Sequence, residues 1–321
     1  MLGITENKGR RSMPDNIKCR MKKSFKLMKR HWQFYLLIAF PVLFILIFCY
    51  VPMPGVLMAF ERYSPSKGLF GSKWVGWDNF RQFFASPSSM RIIWNTLRIG
   101  LYSLIAGFPI PIILAVAVNE VRNRKFKNTV QMVTYAPYFI STVVLVGILS
   151  QITDPRLGVL NKIIQFFGGS AVNFMGNPEM FDHLYVWSGI WQGVGYSSVI
   201  YIAALAGVSR ELQEAAIVDG ATRLQRIWHV DLSSIRPQIV ILLIFNVGSV
   251  LNIGYEKIYL MQNDLNIQVS EVISTFVYKV GLVNADYGFS TAVGLFNAVI
   301  SIILLTLTNA VAKKATETSI W

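Results

Sequence analysis

The sequence predicts an all-α membrane protein of six transmembrane helices, and three observations carry that prediction. First, the 321 residues are 53% hydrophobic and only 15% charged, with mean hydropathy +0.46; soluble domains carry about a quarter charged residues. Second, the apolar residues gather into six runs, each near the ~20 residues that a helix needs to cross hydrocarbon. Third, the basic residues favour alternate intervals between those runs. Backbone amides inside lipid must pair within the protein, so the runs are helices and not open sheet. They do not show the ~10-residue alternation of an outer-membrane barrel.

In chain order the runs are 34–60, 92–118, 129–150, 184–207, 238–255 and 289–312. The fourth is the weakest, interrupted by Ser188, Gln192 and three glycines. Before the first lies a basic arm, residues 1–32, and residues 33–321 form one six-span domain. Lys8, Arg10, Arg11, Lys18 and six further basic residues occupy the arm. Arg122, Arg124, Lys125 and Lys127 follow the second run, and Arg210, Arg223, Arg226 and Arg236 the fourth. With Lys313 and Lys314 of the tail, 20 of the 30 basic residues lie on the side shared by both termini. That asymmetry places both termini of a multi-pass membrane protein in the cytoplasm. The net charge of +13 is therefore topogenic, compatible with anionic lipid headgroups and not a nucleic-acid signal.

The first run is longer than a secretory leader's, and Pro52 and Pro54 stand where a cleavage site would need small residues. Cys19 and Cys49 fall in different compartments, and His31, His183 and His229 on different segments, so neither a disulfide nor a metal set is expected. Pro109 and Pro111 in the second run and Pro137 in the third predict bends. Gly189, Gly193 and Gly207 are expected at close helix contacts. The three outer intervals, about 61–91, 151–183 and 256–288, read as loops, the first with Trp74 and Trp77 as interfacial aromatics.

The polar interval 209–237 between the fourth and fifth runs holds the most specific pattern. Ser209 is a plausible N-cap, Arg210 to Val218 contain no breaker, and Gly220 can end a helix in the left-handed conformation. Thr222 and Gln225 have capping-box spacing, so a second helix starts at once. Its Leu224, Ile227 and Trp228 are expected to face the membrane domain, and Pro237 suits the first turn of the fifth span. The product is an elbow of two short helices.

Glu214-Ala215-Ala216-Ile217-Val218-Asp219-Gly220-Ala221 within that elbow resembles the E-A-A-x-x-D-G-A signature of permease subunits of ATP-binding-cassette importers. Gln225, Ile227, Leu232 and Pro237 fall in family-like positions, although Leu232-Ser233 replaces the usual Leu-Pro. Tyr50 to Phe60, Trp74-Val75-Gly76-Trp77-Asp78-Asn79-Phe80 and Tyr135 to Ser141 look like the oligosaccharide and polysaccharide branch, within the maltose-permease-like superfamily. The resemblance implies a coupling helix that docks onto a separate ATPase, with Glu214, Ala215, Ala216, Asp219, Gly220, Ala221 and Gln225 as the coupling residues. Glu214 then offers a carboxylate to a cationic partner, Ala215 and Ala216 allow close approach, and Asp219 braces the turn.

None of the 23 glycines is followed by lysine, so the chain has no P-loop of the Gly-Lys type. ATP and Mg belong to the partner ATPase, this chain binds no cofactor, and it is a non-catalytic subunit. By resemblance the partners are a second permease (a heterodimer is favoured), two cytoplasmic ATPases, an extracytoplasmic solute-binding protein and an oligosaccharide cargo. Acidic, pectin-type fragments are one cargo reading. Sugar sites combine aromatic faces with polar groups, which makes Tyr138, Trp187, Trp191, Tyr196, Asn246 and Asn252 candidates for the solute path. Each has a packing role as its alternative. Arg98, an ionisable group within a span, is a further candidate against snorkelling to the outer interface. A self-contained secondary transporter or channel needs ion carriers inside the spans; a membrane enzyme needs clustered acid, base or nucleophile. Neither pattern is evident.

Overall fold

The computed structural model describes residues 30–316 and 318–320. The basic arm through Lys29, with Cys19, lies outside them. The described chain is helical apart from a two-residue hairpin pairing, and it divides into two compact units, up to Gly55 and from Val56 onward. In the first unit the helix Trp32–Ile45 accommodates Pro41 and continues as a π turn, Leu46–Tyr50.

The second unit begins within the 3-10 helix Met53–Phe60, and strand Glu61–Arg62 follows, pairing antiparallel with Lys73–Trp74 in the register Glu61↔Trp74 and Arg62↔Lys73. Buried Asn79 fastens this corner by donating to the carbonyls of Ala59 (2.9 Å) and Glu61 (3.1 Å). Trp74 and Trp77 pack around Phe60, stacked at 5.6 Å and edge-on at 5.4 Å.

Three helical runs, Trp32–Phe60, Ser89–Asn119 and Tyr287–Thr316, are long and apolar enough to cross a membrane. Two bent pairs reach that standard jointly: Arg124–Phe139 with Thr142–Thr153, bent 100°, and Arg223–Ser234 with Arg236–Gly248, bent 64°. The helix Pro178–Ala206, at 29 residues, is also long enough, but polar residues and glycines interrupt its apolar run. It starts on Asn177, whose side chain accepts from the Glu179 amide, with Pro178 at the first helical position.

The expected proline bends divide. At Pro137 the helix gives way to a 3-10 turn, Ala136–Phe139, then to extended Ile140 and a new N-cap at Ser141. At Pro109 no break of that kind occurs, and Ser89–Asn119 runs on as a 31-residue span. Pro109 opens the helix that resumes after Phe108, where a missing N–H costs nothing.

The expected packing glycines are corrected too. A Cβ on Gly193 would meet open space, one on Gly189 would meet only the Lys257 ammonium at 3.2 Å, and one on Gly207 only the carbonyl of Ala204 in its own turn. The close approaches belong to Gly195, whose Cβ would lie 2.1 Å from the Thr134 carbonyl, and to Gly100, 2.1 Å from that of Val250. The third outer interval is folded rather than loose. It holds helices Tyr255–Met261, Ile267–Ser270 and Ile273–Tyr278, with buried Asn266 donating to the carbonyls of Met175 (2.9 Å) and Met261 (3.0 Å).

Candidate functional site

The 209–237 segment forms the elbow that its sequence predicts. Ser209 caps the helix Arg210–Val218 by accepting from the Glu211 amide at 3.1 Å. The helix ends in a Schellman arrangement around Gly220, at φ +78. The Ala221 amide reaches the Ala216 carbonyl (2.9 Å) and the Gly220 amide that of Ile217 (3.0 Å). At Thr222 the capping box closes: Gln225 Oε1 accepts from the Thr222 amide at 2.7 Å, and the Thr222 hydroxyl accepts from the Gln225 amide at 3.4 Å.

Glu214, Ala215, Asp219, Gly220 and Gln225 are exposed, while Ala216 and Ala221 are half-buried. Leu224 and Trp228 do not face inward as expected: they are 78% and 68% exposed. Four residues apart, they share the outer stripe of the second helix. The inner stripe is Ile227, Asp231 and Leu232, with Leu232 against a buried cluster of Ala115, Tyr201, Leu205 and Ile235.

Three polar links that the sequence reading missed hold the elbow. Gln213 Nε2 donates to Asp231 Oδ1 at 2.6 Å, and Arg226 Nη1 donates to Gln213 Oε1 at 3.4 Å. Arg223 pairs with the Glu120 carboxylate and donates to its backbone carbonyl at 2.9 Å. Glu120 caps the helix Pro109–Asn119, so this pair ties the elbow to the end of the second span. Asp231 is 2% exposed. Burial raises its carboxyl above the usual range, the nearby Glu120 carboxylate adds to the rise, and Gln213 and Arg226 offset part of it. Glu120 was legible only as one acid at the edge of an apolar run, with nothing to indicate its partner 103 residues away.

The solute-path candidates separate into groups. Asn246 joins three adjoining cavities of about 320, 200 and 330 Å³. Asn252 lines the second and Tyr196 the third. Tyr138 stacks on Tyr196 at 4.0 Å with rings 8° from parallel. Trp187 and Trp191 instead line an apolar recess with Leu145, Leu149 and Leu184, and Trp187 donates to the Tyr102 hydroxyl at 3.0 Å. Arg98 reaches groups of the two outer intervals that follow the third and fifth runs. It is ion-paired to Asp182 at 2.6 Å and donates to the Val269 carbonyl at 3.0 Å. The cavity walls also contain Ser103, Gln192, Ser197 and Lys257, none of which was a solute-path candidate from the sequence. Their signal was weak because polar residues in spans commonly serve helix packing.

An all-α, multi-pass membrane fold with a polar-lined cavity and an anchored elbow is the arrangement of a transport permease. The family model for the binding-protein-dependent transport system inner membrane component matches residues 107–317, more than half of the chain. The chain belongs to that family. It is 42% identical over 287 residues to Protein LplB of Bacillus subtilis (strain 168), spanning 89% of this chain and 90% of that one. It is 40% identical over 302 residues to the polygalacturonan/rhamnogalacturonan transport system permease protein YteP of the same organism, spanning 94% of each. Among solved structures, a chain of a bacterial alginate transporter, in complex with an alginate pentasaccharide-bound periplasmic protein, is similar. Its TM-score is 0.84 at 36% identity, covering 92% of this chain and 99% of that chain.

Proposed function

We propose that this chain is one of two permease subunits, in a heterodimer, of an ATP-driven importer of acidic oligosaccharides. It has six spans and both termini in the cytoplasm. Two separate ATPases bind ATP and Mg, and an extracytoplasmic solute-binding protein delivers the cargo. The Glu214–Ala221 elbow receives the ATPase stroke, with Ala215 and Ala216 at the contact and Gly220 and Gln225 holding the turn. The observation that carries this reading is the elbow itself: its acidic and small residues are exposed on a scaffold fixed by the Gly220 stop and the Arg223–Glu120 pair. Two of the similar proteins, named for polygalacturonan/rhamnogalacturonan and for the acidic polysaccharide alginate, support the cargo class.

The test is ATP-coupled uptake by the complete transporter. Glu214→Lys abolishes uptake while the chain still inserts and assembles. Normal uptake by that variant contradicts the coupling role.

A further inference from the structure

The cavity cation Lys257 differs from Arg91, Arg98 and Lys279, the other half-buried basic residues of the outer half. Arg91 and Lys279 share the Glu271 carboxylate, and Arg98 has Asp182. Each has a carboxylate partner. Lys257 lines the cavity of about 320 Å³, beside Ser103, Gln192, Ser197 and Asn246. It takes part in none of the ion pairs among the described residues. Its ammonium donates to the Tyr185 carbonyl at 2.8 Å and lies 4.7 Å from the centroid of the Tyr185 ring. Those contacts orient a charge without cancelling it. A half-buried cation is costly unless a counter-ion completes it. The facing wall carries no side chain at two positions: a Cβ at Gly189 would crowd the ammonium at 3.2 Å, and one at Gly193 would meet open space.

We propose that Lys257 binds the carboxylate of a uronic-acid unit as the cargo passes this section of the path. The proposal deepens the import reading above and rests on it. A lysine provides a point charge with three rotatable donors. One is held by Tyr185, which leaves two for a carboxylate that moves through rather than locks in. Ser103, Gln192 and Ser197 line the same cavity with groups able to hydrogen-bond sugar hydroxyls.

The experiment is ATP-dependent uptake of an oligogalacturonide by cells carrying the complete transporter, divided by the amount of this chain in the membrane. Lys257→Gln keeps a donor for the Tyr185 carbonyl and roughly the same length but no charge, and uptake falls about tenfold. Lys257→Arg keeps the charge in a bulkier group and retains most of the uptake. A packing or hydrogen-bonding role gives the opposite order, because Gln fits beside Gly189 more easily than Arg. Equal uptake by the two variants, or better uptake by Gln, therefore overturns the assignment while leaving the import reading in place. If the Gln variant does not accumulate, Lys257→Met against Lys257→Arg makes the same comparison. Wild-type cells that import neutral oligosaccharides but no oligogalacturonide overturn the proposal, and cells that import neither overturn the reading beneath it.

Discussion

The Gln213–Asp231 hydrogen bond sets how rigid the elbow is, and Gln213→Ala is the perturbation that measures it. Asp231 is 2% exposed, and its Oδ2 atom is buried without a hydrogen-bond partner. Oδ1 has Gln213 at 2.6 Å. Truncating Gln213 leaves a buried carboxylate unsatisfied, which costs about 1–3 kcal/mol, with charged groups toward the upper end. The same substitution removes the acceptor of Arg226. If the cost appears as local opening, amide hydrogen exchange across Arg210–Val218 accelerates by about 5- to 150-fold. Asp231→Asn keeps an oxygen for Gln213 and removes the charge that burial and Glu120 disfavour, so it accelerates exchange little. Adding Gln213→Ala to it costs less than Gln213→Ala alone. Strictly additive effects, or unchanged exchange in Gln213→Ala, refute the reasoning. The pH dependence has a definite sign. A carboxyl whose folded-state pKa is raised binds more protons folded than unfolded, so stability grows as pH falls through that raised value. Exchange corrected for its intrinsic rate therefore slows over that window in the wild type, and the trend flattens in Asp231→Asn.

Gly195→Ala places a methyl 2.1 Å from the Thr134 carbonyl, where backbone must move; it lowers the thermal stability of the purified transporter by about 1–3 kcal/mol. Gly193→Ala, facing open space two residues earlier, stays within about 0.5 kcal/mol. Arg98→Gln strands the Asp182 carboxylate and costs about 1–3 kcal/mol, less than a fully buried pair because the arginine side chain is 32% exposed. Arg98→Leu with Asp182→Leu recovers most of that loss in the same melting assay.

Features of the fold that depend on local chemistry were legible in the sequence. The elbow is the clearest case, because Ser209, Gly220, Thr222 and Gln225 act on backbone groups within a few residues of themselves. Pro137 is another, since its ring acts on the turn that precedes it. Partnership was not legible. Gly195 and Gly193 differ only in what lies opposite them, and Leu224 and Ile227 only in how a short helix is rolled against its neighbours. Helical period supplies an apolar stripe but not its direction when the opposite stripe also carries apolar groups. Arg98 and Asp182 are 84 residues apart, and Lys257 lay in an interval read as loop. Its role depends on a cavity wall supplied by Pro178–Ala206, which no local pattern announces.

The way the elbow is anchored bears on how a push there reaches the path. One route is covalent: Arg223–Ser234 joins Arg236–Gly248 across a 64° bend, so the elbow leads directly into the helix that carries Asn246. The other is polar, through Arg223 to Glu120 at the end of Pro109–Asn119, the helix that carries Pro111. Both helices supply walls of the Asn246 cavities, whereas the 100° break at Ile140–Ser141 separates the two halves of the third span. Under the proposed coupling role, a rigid displacement of the elbow would act on two walls at once. That division gives the Arg223–Glu120 pair a value its exposure alone does not suggest. As a surface ion pair it adds about 0–1 kcal/mol to stability, but as a tether it links the elbow to the second wall. Stability and coupling can then be separated by mutation at this pair, as they cannot be at buried Asp231.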